Sequence, residues 1–328
     1  MERRYLGDLE VSAIGLGCLS MTAFYDNPAN ANEAIATMHR AAELGINLID
    51  TADFYGAGEN ERLVGRALSG CRDKYIVSTK FGQILQSDGS LAINGRPERA
   101  REACEASLRR LNIEIIDLYY LHRVDPTVPI EDTVGAMAQL VKQGKVRHIG
   151  LSEASAVTLR RAHKIYPITA LQTEYSLWTR DVESGLLDVC AQLGVGFVAY
   201  SPMGRGFLAG GVSSVEAMSE NDRRREMPRF GKENFAKNLR LLERLQKIAK
   251  DEGASPAQIS IAWLLSRTPF VVPLPGTSKV RRLEENAASV RLKLSAQTLA
   301  ELDTIFNPTA ISGARYSEFQ MSRVDHSK

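Results

Sequence analysis

The sequence predicts an α/β fold, a (β/α)8 TIM barrel, and three observations carry that expectation. Eight short apolar runs alternate with helix-length segments along most of the 328 residues. The runs are apolar throughout instead of alternating with polar residues, the pattern of a parallel sheet covered on both faces. A doubly wound sheet is the competing architecture, but no GxGxxG stands between the first run and its helix. Gly15-Leu16-Gly17 supplies only two glycines, and Gly204-Arg205-Gly206 lacks the third and lies late in the chain.

Taken in order, Arg4 to Val11 reads as a hairpin turning at Gly7-Asp8. No helix follows it, so it is expected to cap one end of the barrel. The expected strands are Ile14 to Gly17, Leu48 to Asp50, Tyr75 to Lys80, Leu118 to His122, His148 to Ser152, Ala170 to Glu174, Gly196 to Ser201 and Val271 to Pro275. The helix Asn32 to Leu44 opens on a capping residue and carries Ile35, Met38 and Ala42 on one stripe. Pro97 to Leu111 has proline in its first turn, and Ile130 to Lys142 stops at Gly144. Ala156 to Ile165, Val182 to Leu193 and Asn238 to Lys250 follow, the last with Leu241, Leu242, Leu245 and Ile248 at helical spacing. Ser255-Pro256 caps a helix reaching Ser266. Phe81 to Gly95, Met203 to Asn234 and Asn307 to Lys328 read as long polar loops, an enclosure for substrate at the C-terminal face.

Composition narrows the class without naming a chemistry. Apolar residues make up 44% and charged residues 24%, which suits a globular chain with a sizeable core. Lys plus Arg is 41 against 39 for Asp plus Glu, so no strong field favours nucleic acid or a membrane surface. The apolar stretch Ile259 to Leu265 falls far short of the ~20 residues of a membrane span. Met1-Glu2-Arg3-Arg4 lacks the apolar core of a signal peptide. Cys18, Cys71, Cys104 and Cys190 are scattered with no CxxC, which fits a reducing cytoplasm and no metal site. Length alone suggests two domains; the repeat count favours a single barrel domain over residues 1–328.

In a barrel of this kind, active residues gather where strands end. Asp50 ends the second run, Tyr55 follows in its loop, Lys80 ends the third and His122 ends the fourth. Alone, each has a bland reading: a turn-capping Asp, a packing Tyr, a solvated rim Lys, a structural His. Together they place four titratable groups at one mouth. A phenol has a pKa of about 10 and is a reluctant acid at neutral pH. An adjacent ammonium held by a carboxylate lowers it toward working pH. An imidazole N–H steadies a carbonyl oxygen. Such a set suits protonation of an oxygen that has just received a hydride.

Asp50-Thr51-Ala52-Asp53-Phe54-Tyr55-Gly56, followed by Glu59, Gly65 and Leu68, resembles the signature of the aldo-keto reductases. Ser78-Thr79-Lys80 and Leu121-His122 match that family's lysine and histidine motifs. Gly15-Leu16-Gly17-Cys18, His122-Arg123-Val124-Asp125-Pro126 and Ser201-Pro202-Met203-Gly204-Arg205-Gly206-Phe207-Leu208 are similar to its bacterial, fungal and plant branch. The resemblance runs from Gly15 to Asn286 and implies reduction of an aldehyde or ketone by NADPH. It implies that Tyr55 is the general acid, that Lys80 and Asp50 tune it, and that His122 orients the carbonyl.

The same resemblance assigns the NADPH/NADP+ contacts. Gly17 and Cys18 border the nicotinamide, Ser152 and Gln172 hold its carboxamide, and Tyr200 stacks on its ring. Ser201, Met203, Gly204 and Arg205 begin the loop over the pyrophosphate. Gly276, Thr277, Ser278, Lys279 and Arg282 follow the adenosine-phosphate segment, where hydroxyls and cations suit a 2′-phosphate. Glu285 and Asn286 resemble the adenine contacts. Two positions depart from the pattern: Glu153 stands where many relatives carry Asn, and Gly276 where many carry Lys. Met21, Phe54 and Trp178 are expected to line the substrate pocket. Cys18 lacks any partner that would make it a nucleophile. Three other readings stay open: an NADP+-dependent alcohol or sugar dehydrogenase, a redox-sensing regulatory subunit of this fold, and an aldolase with a Schiff base at Lys80. The oligomeric state is not legible.

Overall fold

Eight parallel strands make one sheet whose two edges meet, in a computed structural model that describes residues 1–22, 30–86, 90–220 and 222–326. A hairpin of β1 (Arg3–Leu6) and β2 (Leu9–Ser12) precedes them. The sheet strands are β3 (Leu16–Gly17), β4 (Leu48–Asp50), β5 (Ile76–Phe81), β8 (Ile116–Leu121), β9 (Val146–Ser152), β10 (Ala170–Glu174), β11 (Gly196–Tyr200) and β12 (Val271–Leu274). They lie in that order around the barrel. Closure comes from Gly15 N–H to Pro273 O at 2.9 Å, Gly17 N–H to Pro275 O at 3.1 Å, and a parallel bridge between Gly17 and Gly276.

The hairpin plugs the N-terminal end. Leu6 and Val11 are buried in one cluster with Leu48, Leu118, Ala170, Val198 and Val272. A Cβ on Gly196 would lie 2.3 Å from Leu6 Cα, so only glycine lets the hairpin seat on β11. Arg4 ties it down by donating to Leu265 O, Thr268 O and Val271 O at 2.6 to 2.8 Å.

The helices wrap the outside. They are α1 (Ala31–Glu43), α2 (Glu59–Leu68), α3 (Pro97–Leu111), α4 (Ile130–Lys142), α5 (Ala156–Ile165), α6 (Leu186–Leu193), α7 (Lys232–Asp251), α8 (Pro256–Arg267), α9 (Val280–Ala288) and α10 (Ala296–Ile305), with a short α11 (Glu318–Met321) in the tail. Where apolar spacing was clear, the expected bounds are met within a residue or two. Ser255 makes a full capping box with Gln258 at the start of α8.

Several expectations are corrected. The helix expected over Val182 to Leu193 is split. Asp181–Glu183 forms a single tight turn, and Gly185 at φ 101° restarts the chain as α6. α7 begins six residues before Asn238, because its first turns are polar outside yet bury Phe235 and Asn238. α2 went unread because Gly65 and its charged residues mask the pattern. Gly65 is needed there, since a Cβ would lie 2.6 Å from Leu111 O of α3. The expected loop of residues 81–95 carries a small hairpin, β6 (Gln83–Leu85) with β7 (Leu91–Ile93), though 87–89 lie outside the described residues. In the tail, Asn238 of α7 exchanges two hydrogen bonds at 2.9 Å with Ser312, pinning residues that lack any sequence periodicity.

Candidate active site

All eight strands point their C-terminal ends at one mouth, and the four titratable residues meet there. Asp50 closes β4 and its register partner on β5 is Ser78, which donates to Asp50 Oδ1 at 2.7 Å. Two residues on, and so on the same face of β5, the fully buried Lys80 ammonium pairs with Asp50 Oδ2. The ammonium also donates to Thr51 O at 2.8 Å and reaches Tyr55 Oη at 3.4 Å. Gln172 of β10 donates to Asp50 Oδ1 at 3.0 Å. Every Asp50 oxygen is therefore engaged, which is what a buried carboxylate requires.

Tyr55 is delivered by an unusual turn. Gly56, Ala57 and Gly58 all have left-handed backbone, with φ of 55°, 52° and 91°. For Ala57 that conformation is costly and must be imposed by its surroundings. Just after the turn, the buried Asn60 accepts from Thr51 Oγ1 at 2.6 Å and donates to Cys18 O and Thr22 Oγ1 at 2.8 and 2.7 Å. His122 follows β8 directly, its N–H on Phe81 O at 2.8 Å and its ring edge-on to Tyr55 with centroids 5.7 Å apart. His122 Nδ1 is buried with no hydrogen-bond partner among the described residues.

The electrostatics sharpen the roles and correct one. Burial holds the His122 imidazole well below the usual range, and Lys80, Arg123 and Arg323 push the same way, so the ring is neutral. Burial would lower the Lys80 ammonium, but Asp50 and Tyr55 outweigh it and the net direction is up. The Tyr55 phenol was expected to be pulled toward neutral pH. Burial pushes it up instead, and Lys80 only partly offsets that. Tyr55 is thus protonated at neutral pH, the form a proton donor needs.

A cavity of about 250 Å³ opens beside these groups. Of the sequence-assigned residues, Gly17, Ser152, Gln172, Tyr200, Ser201, Met203, Arg205, Gly276 and Phe54 line it. Met21 and Trp178 do not. Met21 is fully buried in the core against α1 and α2. Trp178 stacks on Phe207 at 4.2 Å under the 203–206 loop, where a Cβ on Gly204 would strike its indole at 2.6 Å. The Cys18 thiol is also packed in the core, and burial pushes it up, away from reactivity. Thr277, Ser278 and Lys279 lie in the turn from β12 into α9, and Arg282, Glu285 and Asn286 lie within α9. Lys279 pairs there with Glu33 at 2.6 Å, while Arg282 is exposed. A wider, open groove of about 920 Å³ on the outer surface, bordered by Arg62, Arg66, Arg109 and Arg110, shares none of the four titratable residues.

The tail supplies what sequence reasoning missed. Arg315 and Glu153 form a buried pair at 2.6 Å. Glu153 Oε1 also accepts from Glu174 N–H at 3.1 Å and Tyr200 Oη at 2.9 Å. Tyr316 Oη lies 2.7 Å from Tyr200 Oη and accepts from Arg205 at 2.9 Å, and Arg205 pairs with Glu174 at 2.8 Å. Asp325 closes the strap: its carboxylate accepts from Ser155 N–H at 2.8 Å and its N–H donates to Glu153 O at 3.3 Å. Burial would raise the Glu153 carboxyl, but Arg315 and Arg123 outweigh it and hold it below the usual range. The sequence signal was Glu153 itself, a charge at a strand end where the family resemblance leads one to expect Asn.

Among the described residues, no cluster of three or more His, Cys, Asp or Glu is placed to hold a metal, and no helix is long and apolar enough to cross a membrane. A closed parallel barrel with an Asp–Lys–Tyr chain and a neutral His at its C-terminal mouth defines a barrel oxidoreductase. The model of the aldo/keto reductase family matches residues 13–307, and the chain belongs to that family. It is 46% identical over 308 residues to the probable aldo-keto reductase 1 of Glycine max, covering 94% of this chain and 89% of that protein. The glycerol dehydrogenase AKR11B4 from Gluconobacter oxydans superposes with a TM-score of 0.84 at 29% identity, covering 93% and 96% of the two chains. The thermostable aldo-keto reductase Tm1743, solved with the inhibitor epalrestat, gives 0.74 at 30% identity over 93% and 100%. An aldo/keto reductase from Klebsiella pneumoniae, solved with NADP and acetate, gives 0.72 at 27% identity over 98% of each chain.

Proposed function

We propose that this protein reduces aldehyde or ketone carbonyls to alcohols with NADPH. One observation carries the reading: Asp50, Lys80 and Tyr55 form a buried hydrogen-bonded chain ending beside neutral His122 at an open cavity. Tyr55 gives its proton to the carbonyl oxygen. The phenolate left behind is stabilised by the Lys80 ammonium, which Asp50 and Thr51 O hold in place. His122, being neutral, offers an N–H to the same oxygen without taking a proton from Tyr55.

The chain fits a nicotinamide dinucleotide. Ser20 Oγ is a buried hydroxyl without a partner among the described residues, close to Gly276 at the cavity edge. Ser152, Gln172 and the Tyr200 ring line the same space. Ser201, Gly204, Arg205 and Gly206 all have left-handed backbone, a turn that can aim N–H groups at a pyrophosphate. Lys279 and Arg282 are the cations for a 2′-phosphate. Bound there, the reduced nicotinamide supplies the hydride. The NADP in the Klebsiella structure supports the same cofactor class.

The test is fluorescence titration with both dinucleotides. NADPH should bind tighter than NADH, and Lys279→Ala with Arg282→Ala should erase that preference. Tighter NADH binding would overturn the cofactor assignment.

A further inference from the structure

The cavity holds more positive charge than its own carboxylates answer. Arg123, Arg205, Arg223 and Arg323 line it, against Asp50 alone. Asp50 is taken by Lys80, Ser78 and Gln172. Arg205 is taken by Glu174 and the nearby Glu153 by Arg315. Among the described residues, Arg123 donates to His122 O at 2.9 Å and weakly to Ser152 Oγ at 3.4 Å. Arg323, from the tail, reaches Ala92 O of the small hairpin at 3.4 Å. Among the described residues neither guanidinium has an ion-pair partner, although both are half-buried and both bear on His122. At Arg123 the nearby Tyr200 and Glu153 outweigh the cost of burial, whereas burial and Arg123 both work against the Arg323 cation, a cost that an anion beside it would reverse.

We propose that the substrate is an oxo acid, a carbonyl compound whose carboxylate is held by Arg123 and Arg323 while its carbonyl lies at Tyr55 and His122. A guanidinium offers the paired N–H geometry that a carboxylate takes. The same cavity, about 250 Å³, also takes the nicotinamide in the reading above, so the acid is a compact one. The residues assigned to the cofactor phosphates come from 201–206 and 276–282, and neither Arg123 nor Arg323 is among them. The proposal rests on the carbonyl-reductase reading above and adds its substrate class.

The experiment compares a short aldehyde acid with its methyl ester, by NADPH oxidation. The wild type should favour the acid by about 10- to 100-fold in kcat/KM, the range of a charge-assisted hydrogen-bonded pair. In Arg323→Gln that ratio should fall toward one through a raised KM for the acid, and Arg323→Lys should keep part of it. NADPH affinity, read by fluorescence titration, should move less than threefold in both. Equal use of acid and ester by the wild type would overturn the proposal while leaving carbonyl reduction intact. So would a fall in NADPH affinity that tracks the loss in Arg323→Gln, which would assign the arginine to the cofactor. Reduction of neither compound, nor of any simple aldehyde, would remove the underlying reading and the proposal with it.

Discussion

The floor of the mouth and its cover are built by opposite means. The floor is made of strand ends, with Asp50, Lys80 and His122 fixed by parallel register and Tyr55 by one strained turn. Asp50, Tyr55 and Lys80 lie within 30 residues of one another along the chain, while His122 and Gln172 come from farther on. The cover is made of the 307–326 tail, and its key pair, Glu153 with Arg315, spans 162 positions of sequence. The floor centres on a fully buried ion pair between neighbouring strands; the cover is a strap tied down by a few long-range side-chain pairs. In the proposed function the first carries the chemistry and the second borders the cavity.

That division can be broken most sharply at Tyr55. Tyr55→Phe removes the proton but keeps the ring against His122. Turnover should fall about 10³-fold, within the range for loss of a general acid, with NADPH affinity nearly unchanged. Retention of more than a tenth of wild-type kcat would move the acid elsewhere.

Glu153→Gln tests the cover. It leaves Arg315 charged and buried without its counter-ion, which costs about 3 kcal/mol locally. Trypsin should then cut the tail at Arg315 or Arg323 well before the barrel is attacked, while circular dichroism of the barrel is retained. Simultaneous loss of tail and barrel would mean that the two regions are not separable.

His122 gives a smaller, pH-dependent effect. Its folded pKa lies below the unfolded value of about 6.5, so below that pH the unfolded chain binds a proton that the folded chain refuses. Stability should therefore fall as pH drops from 6.5 to 5, by up to about 1.4 kcal/mol per pH unit. Urea unfolding of His122→Asn should show a shallower fall; an identical slope would place the proton uptake elsewhere, His163 included, whose pKa burial also lowers.

The smallest effect belongs to Asp53. Its Oδ1 is buried with no partner among the described residues while Oδ2 holds Arg99 at 2.7 Å, and burial outweighs that partner, pushing the carboxyl up to about 7. A raised carboxyl binds its proton in the folded state first, so stability falls as pH rises from about 4 to 7. Asp53→Asn should flatten that decline by less than about 1 kcal/mol per pH unit.

The floor was legible in the sequence because strand ends are marked locally. Asp50, Lys80 and His122 each close an apolar run, and Tyr55 sits in a dense motif. α4 and α5 were readable to the residue because their stripes face the sheet. α2 was not, because Gly65 trades propensity for close approach to Leu111. The cover was not legible, because nothing in the polar stretch 307–328 says that Arg315 meets Glu153. Met21 and Trp178 do not line the cavity, for a related reason. Apolar side chains near a mouth line either the pocket or the packing beneath it, and here Phe207 and the core claim them.

The central claim is hydride delivery to a carbonyl carbon at the Tyr55 mouth. The direct measurement uses NADPH deuterated at both C4 positions with an aldehyde substrate, and mass spectrometry of the alcohol formed. One deuterium at the carbinol carbon in the wild-type product, and almost no product from Tyr55→Phe, is the predicted result. Alcohol free of deuterium, or equal product from the variant, would contradict it.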